Sequence, residues 1–172
     1  DCVYLDNEDA VRTLVRRQSK KYGRHLFIGW DNLAISNVKK REEAFQRFCS
    51  EGEVIRVPWR RDRNVEETDI KRIEEKIRSM GEGLIVCNNG ELGQRTAELL
   101  RETGMSKTAA LAVVDDFEGA EGYPVSVYRQ DLAKDAECIY RQLEEQAAKG
   151  RNWKAKRKAI KGIYAAYGEG EE

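Results

Sequence analysis

The stretch that decides the fold is residues 83–93, which read Gly-Leu-Ile-Val-Cys-Asn-Asn-Gly-Glu-Leu-Gly. Four consecutive apolar or thiol side chains, at positions 84–87, predict a strand that is buried on both faces, as is typical of a parallel sheet. The Asn88-Asn89-Gly90 turn ends this strand, and residues 92–103 have the pattern of a helix. The segment therefore predicts a strand, a sharp turn and a helix that packs back over the sheet.

The same order recurs on both sides of this segment. Short apolar strands are predicted at residues 25–28, 54–57 and 109–114. Helices are predicted at residues 7–21, 38–49 and 65–79. Strands that alternate with helices of about a dozen residues predict right-handed crossovers. The fold class is therefore a three-layer α/β domain with a mostly parallel, Rossmann-like sheet.

The pattern changes near residue 130. Residues 125–128 are predicted to form an edge strand, and residues 131–148 a helix. A second, very basic helix is predicted over residues 153–167, where Trp153, Ile160, Tyr164 and Tyr167 recur at spacings of seven, four and three. The domain prediction is an α/β domain over residues 1–130, followed by a helical basic extension over 131–172 that packs on it.

Composition excludes several classes of protein. The chain has 172 residues, and its 31 Lys and Arg balance its 31 Asp and Glu, so net charge predicts no partner. No apolar run is as long as a membrane span, and no membrane partner is expected. The four cysteines form no CxxC pair and the chain has a single histidine, which predicts reduced thiols in an intracellular compartment. Residue 1 is Asp and not Met, so we expect either a fragment of a longer chain or a processed product. Domains of a parent chain or another protein are candidate partners.

Acidic side chains follow several predicted strands, where parallel sheets place their sites. The candidate catalytic residues are Asp31, Asp69, Glu91, Asp115 and Asp116. Oxygen-rich clusters suit Mg²⁺ or Mn²⁺, and the candidate ligands are Asp31, Asp69 and Asp115. The alternative is that these residues only cap helices and form turns, as Asp and Asn often do after strands.

Three motifs in this order resemble the NYN branch of the PIN-like ribonucleases. The first is Leu26 to Leu33, the second is Glu66 to Ile70, and the third runs from Ile85 to Leu92. The resemblance covers about residues 24–115. It implies a PIN-like fold and an RNA-associated function, either as a divergent metal-dependent endoribonuclease or as a relative that lost catalysis and kept RNA or protein binding.

This sequence departs from the family pattern at two metal-binding positions. Gly29 stands where the first motif has an Asp, and Asn89 stands where the third motif has one. Whether the chain is an enzyme therefore stays open, and Mg²⁺ or Mn²⁺ is expected only if catalysis survives.

Basic and amide side chains supply the candidate RNA contacts, because cations bind phosphates. The candidates are Asn32, Arg60, Arg61, Arg63, Asn89, Lys154, Arg157, Lys158 and Lys161. The alternative is a solvated helix whose aromatic side chains dock on the core.

Two other functional classes remain open on the sequence. Cys87 followed by Arg95 resembles a rhodanese or cysteine-phosphatase site, although a buried, inert cysteine explains the same strand. Asn88-x-Gly90-x-x-Gly93 before a helix, with Asp115 further on, resembles a dinucleotide-binding fingerprint that lacks its first glycine. These patterns predict a cysteine enzyme or a nucleotide-binding module, respectively.

Overall fold

The structure, a computed structural model, describes residues 2–18, 21–62 and 64–168. In chain order the strands are β1 Cys2–Leu5, β2 His25–Trp30, β3 Glu53–Val57, β4 Gly83–Cys87, β5 Ala109–Val114, β6 Val125–Arg129, β7 Arg157–Ile160 and β8 Ile163–Tyr167. The helices are α1 Asn7–Gln18, α2 Ser36–Phe48, α3 Glu67–Met80, α4 Gly90–Glu102 and α5 Leu132–Lys149. None of the described helices is long and apolar enough to cross a membrane.

The main sheet has six strands in the order β3-β2-β4-β5-β6-β8. The first five are parallel, and β8 pairs antiparallel with β6. The predicted three-layer α/β fold with a mostly parallel sheet is therefore confirmed. From β2 the chain continues to β3, which pairs with one edge of β2, and then crosses to β4, which pairs with the other edge of β2. This reversal creates a crevice beyond the carboxyl ends of β2 and β4, where open α/β sheets bind ligands.

Each face of the sheet carries a separate apolar core, because side chains alternate along a strand. In β4, Leu84 and Val86 pack towards α1 and α2, and Ile85 and Cys87 pack towards α3 and α4. All four side chains are fully buried. The prediction that residues 84–87 form a strand buried on both faces is therefore confirmed.

Two glycines let α4 lie close to the sheet. A Cβ at Gly93 would sit 2.5 Å from a methyl group of Val113, and one at Gly90 would sit 2.3 Å from the Asp116 backbone oxygen. Packing between helix and strand therefore accounts for these two glycines of the proposed dinucleotide fingerprint.

The C-terminal region differs from the prediction. The helix predicted over residues 153–167 is wrong, because the chain forms β7 and β8 there. The backbone at Gly162 passes so close to β6 that a Cβ would lie 2.2 Å from the Arg129 oxygen. In β8 the side chains alternate: Tyr164 packs on one core and Tyr167 on the other, so the true period is two.

Two further predictions about this region need correction or stay open. The strand over 125–128 is not an edge strand, since β8 pairs outside it. The boundary near residue 130 stays a prediction, although β8, which follows it, completes the main sheet. The end of the first helix prediction, at residues 19 and 20, lies outside the described residues.

A second, smaller sheet consists of β1 and β7, which are parallel. Neither strand was predicted. Three short links join this pair and α5 to the main sheet: Asp6 before α1, residues 130–131 before α5, and residues 161–162 before β8. Tyr128 holds the link at residues 161–162 in place through two hydrogen bonds. Its hydroxyl donates to Asp9 Oδ2 at 2.6 Å and accepts from the Gly162 N–H at 2.9 Å.

Candidate ligand site at the carboxyl edge of the sheet

Arg41 is the centre of a polar network at the carboxyl edge of the main sheet. Its side chain lies on α2 and is only 4% exposed. Nε donates to Asn7 Oδ1 at 2.7 Å, and Nη1 donates to the Asn88 backbone oxygen at 2.6 Å and to Asp115 Oδ2 at 2.8 Å. One guanidinium thus joins the start of α1 to the ends of β4 and β5.

Each partner of Arg41 has a local reason for its position. Asp6, and not Asn7, caps α1, because Asp6 Oδ1 accepts from the Asp9 N–H at 3.0 Å. Asn7 is left to bind Arg41, and its amide donates to the Leu5 oxygen at 3.1 Å. Asn88 continues β4, since its N–H donates to the Ile28 oxygen at 2.8 Å.

Asp115 has a left-handed backbone with φ of +72°, and no other described non-glycine residue has a positive φ. Such a conformation is uncommon for a non-glycine residue, and Asp and Asn tolerate it best. Its carboxylate is 37% exposed, although it is bonded to the buried Arg41. Backbone strain of this kind clusters at functional sites. Asp115 is therefore the group of this network that faces outwards and can meet a ligand.

The rim of the edge carries an aromatic ring and an amide. The Asp31 carboxylate accepts a hydrogen bond from the backbone N–H of Trp59 at 2.8 Å. This bond links the end of β2 to the loop after β3. The Trp59 side chain is 39% exposed. Asn89 caps α4 by accepting from the Leu92 N–H at 3.4 Å, and its amide donates to Glu91. The edge thus offers a carboxylate, amides and an indole face.

The concave surfaces near this edge flank Arg41 and do not enclose it. A hollow of about 220 Å³ lies between β1 and α2 and includes Asn7 and Lys40. An open groove of about 580 Å³ includes Asp62 and Glu91 on the other side. The Arg41 edge is consequently an open surface and not a closed pocket.

The predicted acidic cluster does not form one site. Asp69 is buried and bonded to Arg60 at 3.0 Å, at the start of α3. Asp116 accepts from the Tyr167 hydroxyl at 3.2 Å and from Arg129 at 3.4 Å. Asp31, Glu91 and Asp115 bind the separate partners given above. In the part of the chain that the structure describes, no three His, Cys, Asp or Glu side chains are placed to hold a metal ion.

The predicted RNA contacts are also scattered. Arg60 forms ion pairs within the protein, with Glu66 and with Asp69, each at 3.0 Å. Arg61 is exposed, and Arg63 lies outside the described residues. Asn32 lies in the turn after β2, where its backbone oxygen accepts a hydrogen bond from the Ile35 N–H. Arg157 and Lys158 lie on β7, whereas Lys154 and Lys161 lie in the segments before and after it. They do not form the predicted basic helix face.

Cys87 is buried and chemically protected. Its side chain has no exposed surface, and burial raises the pKa of its thiol to about 12, although a hydrogen bond with Thr96 acts in the opposite direction. Arg95 is exposed and pairs with Glu98 at 3.0 Å. A cysteine enzyme needs an accessible thiolate, so the rhodanese or phosphatase interpretation is wrong.

Sequence reasoning missed Arg41. Ala44 and Phe45, three and four residues later, are apolar and buried on the inward face of α2. Residues at these spacings share a helix face, so Arg41 had to point inwards as well. A lone Arg on an apolar face requires buried partners, and this pattern could have identified it.

The comparisons with known proteins concern the fold. No protein-family model and no curated protein sequence matches the chain. Among solved structures, the Escherichia coli trehalose repressor is similar with a TM-score of 0.70 and 17% identity, over 95% of this chain and 63% of that one. The xylose-binding transcription activator XylR gives a TM-score of 0.76 and 13% identity, over 94% of this chain and 45% of that one.

A third similar structure is a periplasmic solute-binding protein of an ABC transporter from Actinobacillus succinogenes with bound D-allose. Its TM-score is 0.68 at 12% identity, over 95% of this chain and 60% of that one. The chain thus spans about half to two thirds of the length of the solved proteins it resembles. At this level of identity the similarity shows the fold alone, a three-layer, Rossmann-like α/β fold that the chain shares with these proteins.

These findings correct the family resemblance. The similar structures are a trehalose repressor, a xylose-binding transcription activator and a solute-binding protein, so the assignment to the PIN-like or NYN ribonucleases is wrong. The first and third motifs are a strand followed by polar turn residues, and the second is an acidic helix start; α/β folds commonly share both features. The predicted RNA binding and nuclease activity rested on this resemblance and lose their support with it. The Mg²⁺ or Mn²⁺ requirement was conditional on nuclease activity and remains untested, as does the intracellular compartment.

Proposed function

We propose that the carboxyl edge around Arg41 and Asp115 forms one wall of a binding site for a small sugar. The observation that carries this proposal is the buried Arg41 guanidinium, which fixes a partly exposed, strained Asp115 carboxylate at the carboxyl end of a parallel strand. Sites in open α/β sheets lie at this edge. The solved proteins of the same fold include one with bound D-allose and one described as xylose-binding.

The chemistry of the edge suits a polyhydroxylated molecule. A sugar hydroxyl can donate to the Asp115 carboxylate, and the half-buried Asn89 amide can both donate and accept. The Asn88 amide is buried and donates to the Val38 oxygen, so it supports the site from within. The exposed Trp59 indole offers an apolar face for the C–H groups of a pyranose ring. In this arrangement Arg41 is a positioning residue, because it is buried and holds Asp115, Asn7 and the end of β4 together.

The nucleotide-binding alternative has less support. Gly90 and Gly93 are explained by close packing against Asp116 and Val113. Asn89 already caps α4, so its side chain occupies the helix start where a phosphate would bind.

The proposal is tested by measuring sugar binding to the polypeptide that carries this chain. D-allose, D-xylose and trehalose are titrated by calorimetry against the parent protein and against Asp115→Asn. Asn tolerates the left-handed backbone, so the variant removes a charge without adding strain. A lost hydrogen bond to a charged group costs about 1.5–3 kcal/mol, so we expect affinity to fall at least about tenfold.

Asp116→Asn is the matched control. The neighbouring carboxylate bonds to Tyr167 and Arg129 and not to Arg41, so this variant is expected to bind sugar as the parent does. Equal losses in the two variants, or no heat of binding with any of the three sugars, would contradict the proposal.

A further inference from the structure

A second hollow lies at the amino edge of the main sheet, at the opposite end of the strands from Arg41. Its volume is about 180 Å³, and it lies between the end of α1, the turn before β5 and the first residues of β5 and β6. Pockets for drug-sized ligands usually measure ~300–1,000 Å³, so this hollow suits a smaller molecule or an ion. The sugar-binding proposal uses none of its residues.

One wall of the amino-edge hollow carries a buried hydroxyl and an amide. Ser126 on β6 is 3% exposed, and its Oγ accepts a hydrogen bond from Gln18 Nε2 at 3.2 Å. The same Oγ lies 3.0 Å from the Tyr164 hydroxyl, and either oxygen is able to donate. When Tyr164 donates, the Ser126 hydrogen is left for a ligand. Gln18 Nε2 carries two hydrogens, so the bond to Ser126 leaves the second one for a ligand as well.

The charge around the hollow is positive. Lys21 and Lys107 both line it, and none of the described residues that line it is acidic. Neither lysine forms an ion pair with any residue in the described part of the chain, and Lys21 lies 5.7 Å from the centre of the Tyr22 ring. The Arg17 guanidinium adds a third positive charge nearby, 4.4 Å from the centre of the Tyr164 ring.

This arrangement differs from the rest of the surface. The chain has 31 acidic and 31 basic residues, and lysines elsewhere are paired with carboxylates. Lys39 binds Glu43 at 3.8 Å, and Lys71 binds Glu67 at 2.8 Å. Two cations that share a hollow without an acid repel each other, and an anion held there offsets that repulsion. The amino-edge hollow therefore has the charge and the hydrogen-bond donors of an anion site.

We propose that the amino-edge hollow binds a small oxyanion, either inorganic phosphate or the phosphate group of a monoester. Lys21 and Lys107 supply the positive charge, because lysine ammonium groups bind phosphate as point charges. The Gln18 amide and the Ser126 hydroxyl donate the hydrogen bonds that fix its position. The inference is independent of sugar binding, because the two sites lie at opposite ends of the strands and share no residue.

Nuclear magnetic resonance of the protein titrated with inorganic phosphate tests the proposal. Sodium chloride at the same ionic strength is the reference, because it screens charges without offering oxygen acceptors. We expect shifts that saturate with phosphate, and not with chloride, at the Gln18 side-chain amide and at the backbone N–H groups of Lys21 and Lys107. The side-chain amide of Asn89, at the other edge of the sheet, should not respond.

Glycerol 3-phosphate distinguishes the two sources of the phosphate group. An affinity at least about tenfold above that of inorganic phosphate would identify a monoester as the ligand, and the reverse order would identify the free ion. Shifts at the same residues are expected with both compounds, so either order supports the site.

Two pairs of lysine variants separate this site from net charge. Lys21→Gln with Lys107→Gln removes exposed side chains and should weaken phosphate binding at least about tenfold, because charged donors are lost. Lys39→Gln with Lys71→Gln removes the same charge from α2 and α3 and should leave the affinity unchanged. Gln18→Glu keeps the size of the side chain and places a carboxylate beside the ligand, so it should abolish binding.

Two results would overturn the proposal. One is the lack of saturating shifts around the hollow at millimolar phosphate. The other is an equal loss of affinity in the two lysine pairs, because phosphate would then respond to the net charge of the protein and not to this hollow.

Discussion

The two sheets of this protein follow the same local pattern but differ in how completely they are covered. In the main sheet, β4 is buried on both faces between two pairs of helices. In the small sheet, β7 exposes Arg157, Lys158 and Ala159, and the neighbouring α5 leaves most of its apolar side chains exposed. Helices and small sheets draw most of their stability from packing, so we expect the small sheet and α5, which are largely exposed, to be less stable than the main sheet.

The largest expected difference is between two leucines. Leu84→Ala in β4 should lower the free energy of unfolding by about 3 kcal/mol, because it leaves a cavity in a closed core. Leu143→Ala in α5 deletes the same atoms from an exposed position and should cost less than about 0.5 kcal/mol in the 172-residue chain. Urea denaturation measures both values. Similar losses at the two positions would show that α5 is packed, contrary to the structure.

A smaller effect is expected in thiol chemistry. Cys87 lies inside the main sheet with a thiol pKa raised to about 12 by burial, whereas Cys138 is the single buried residue of α5. Local opening of α5 should expose Cys138 without unfolding the main sheet. In the 172-residue chain at pH 8, we expect Cys138 to be alkylated at least about tenfold faster than Cys87.

Single-cysteine variants followed by mass spectrometry give these rates, and exposed Cys2 provides the upper limit. Equal rates at Cys87 and Cys138 would indicate that both sheets open together, and the comparison between them would fail.

Sequence patterns predicted the five parallel strands of the main sheet well, and β8 and the small sheet poorly, for a physical reason. Strands such as β4 and β5 consist of apolar runs because they are buried on both faces. β7 has no such run, since three of its four residues are exposed. Ile160 belongs to β7, whereas Tyr164 and Tyr167 belong to β8, on the other side of Gly162. Their spacings of four and three therefore match those of a helix face by coincidence.

The candidate site lies at the sheet edge where the sequence placed the acidic residues, but those residues make other contacts than the predicted metal cluster. Asp115 was among the candidates, and it lies beyond a parallel strand as expected. The sequence could not show that Arg60 would neutralise Asp69 or that Arg41 would hold Asp115, because both pairings depend on long-range packing. Acidic residues after strands therefore predicted a metal cluster where the fold places separate ion pairs. A cation on an inward helix face was the better indicator of the site.

Sugar binding at the Arg41 edge is tested most directly by nuclear magnetic resonance of the complete polypeptide titrated with D-allose or D-xylose. The side-chain amides of Asn7, Asn88 and Asn89 and the indole N–H of Trp59 give separate signals, and each lies at this edge. We expect saturable shifts at these groups, with little change in the side-chain amides of Gln142 and Gln146 on α5. No shifts at the edge at saturating sugar, or shifts confined to other surfaces, would contradict the proposed function.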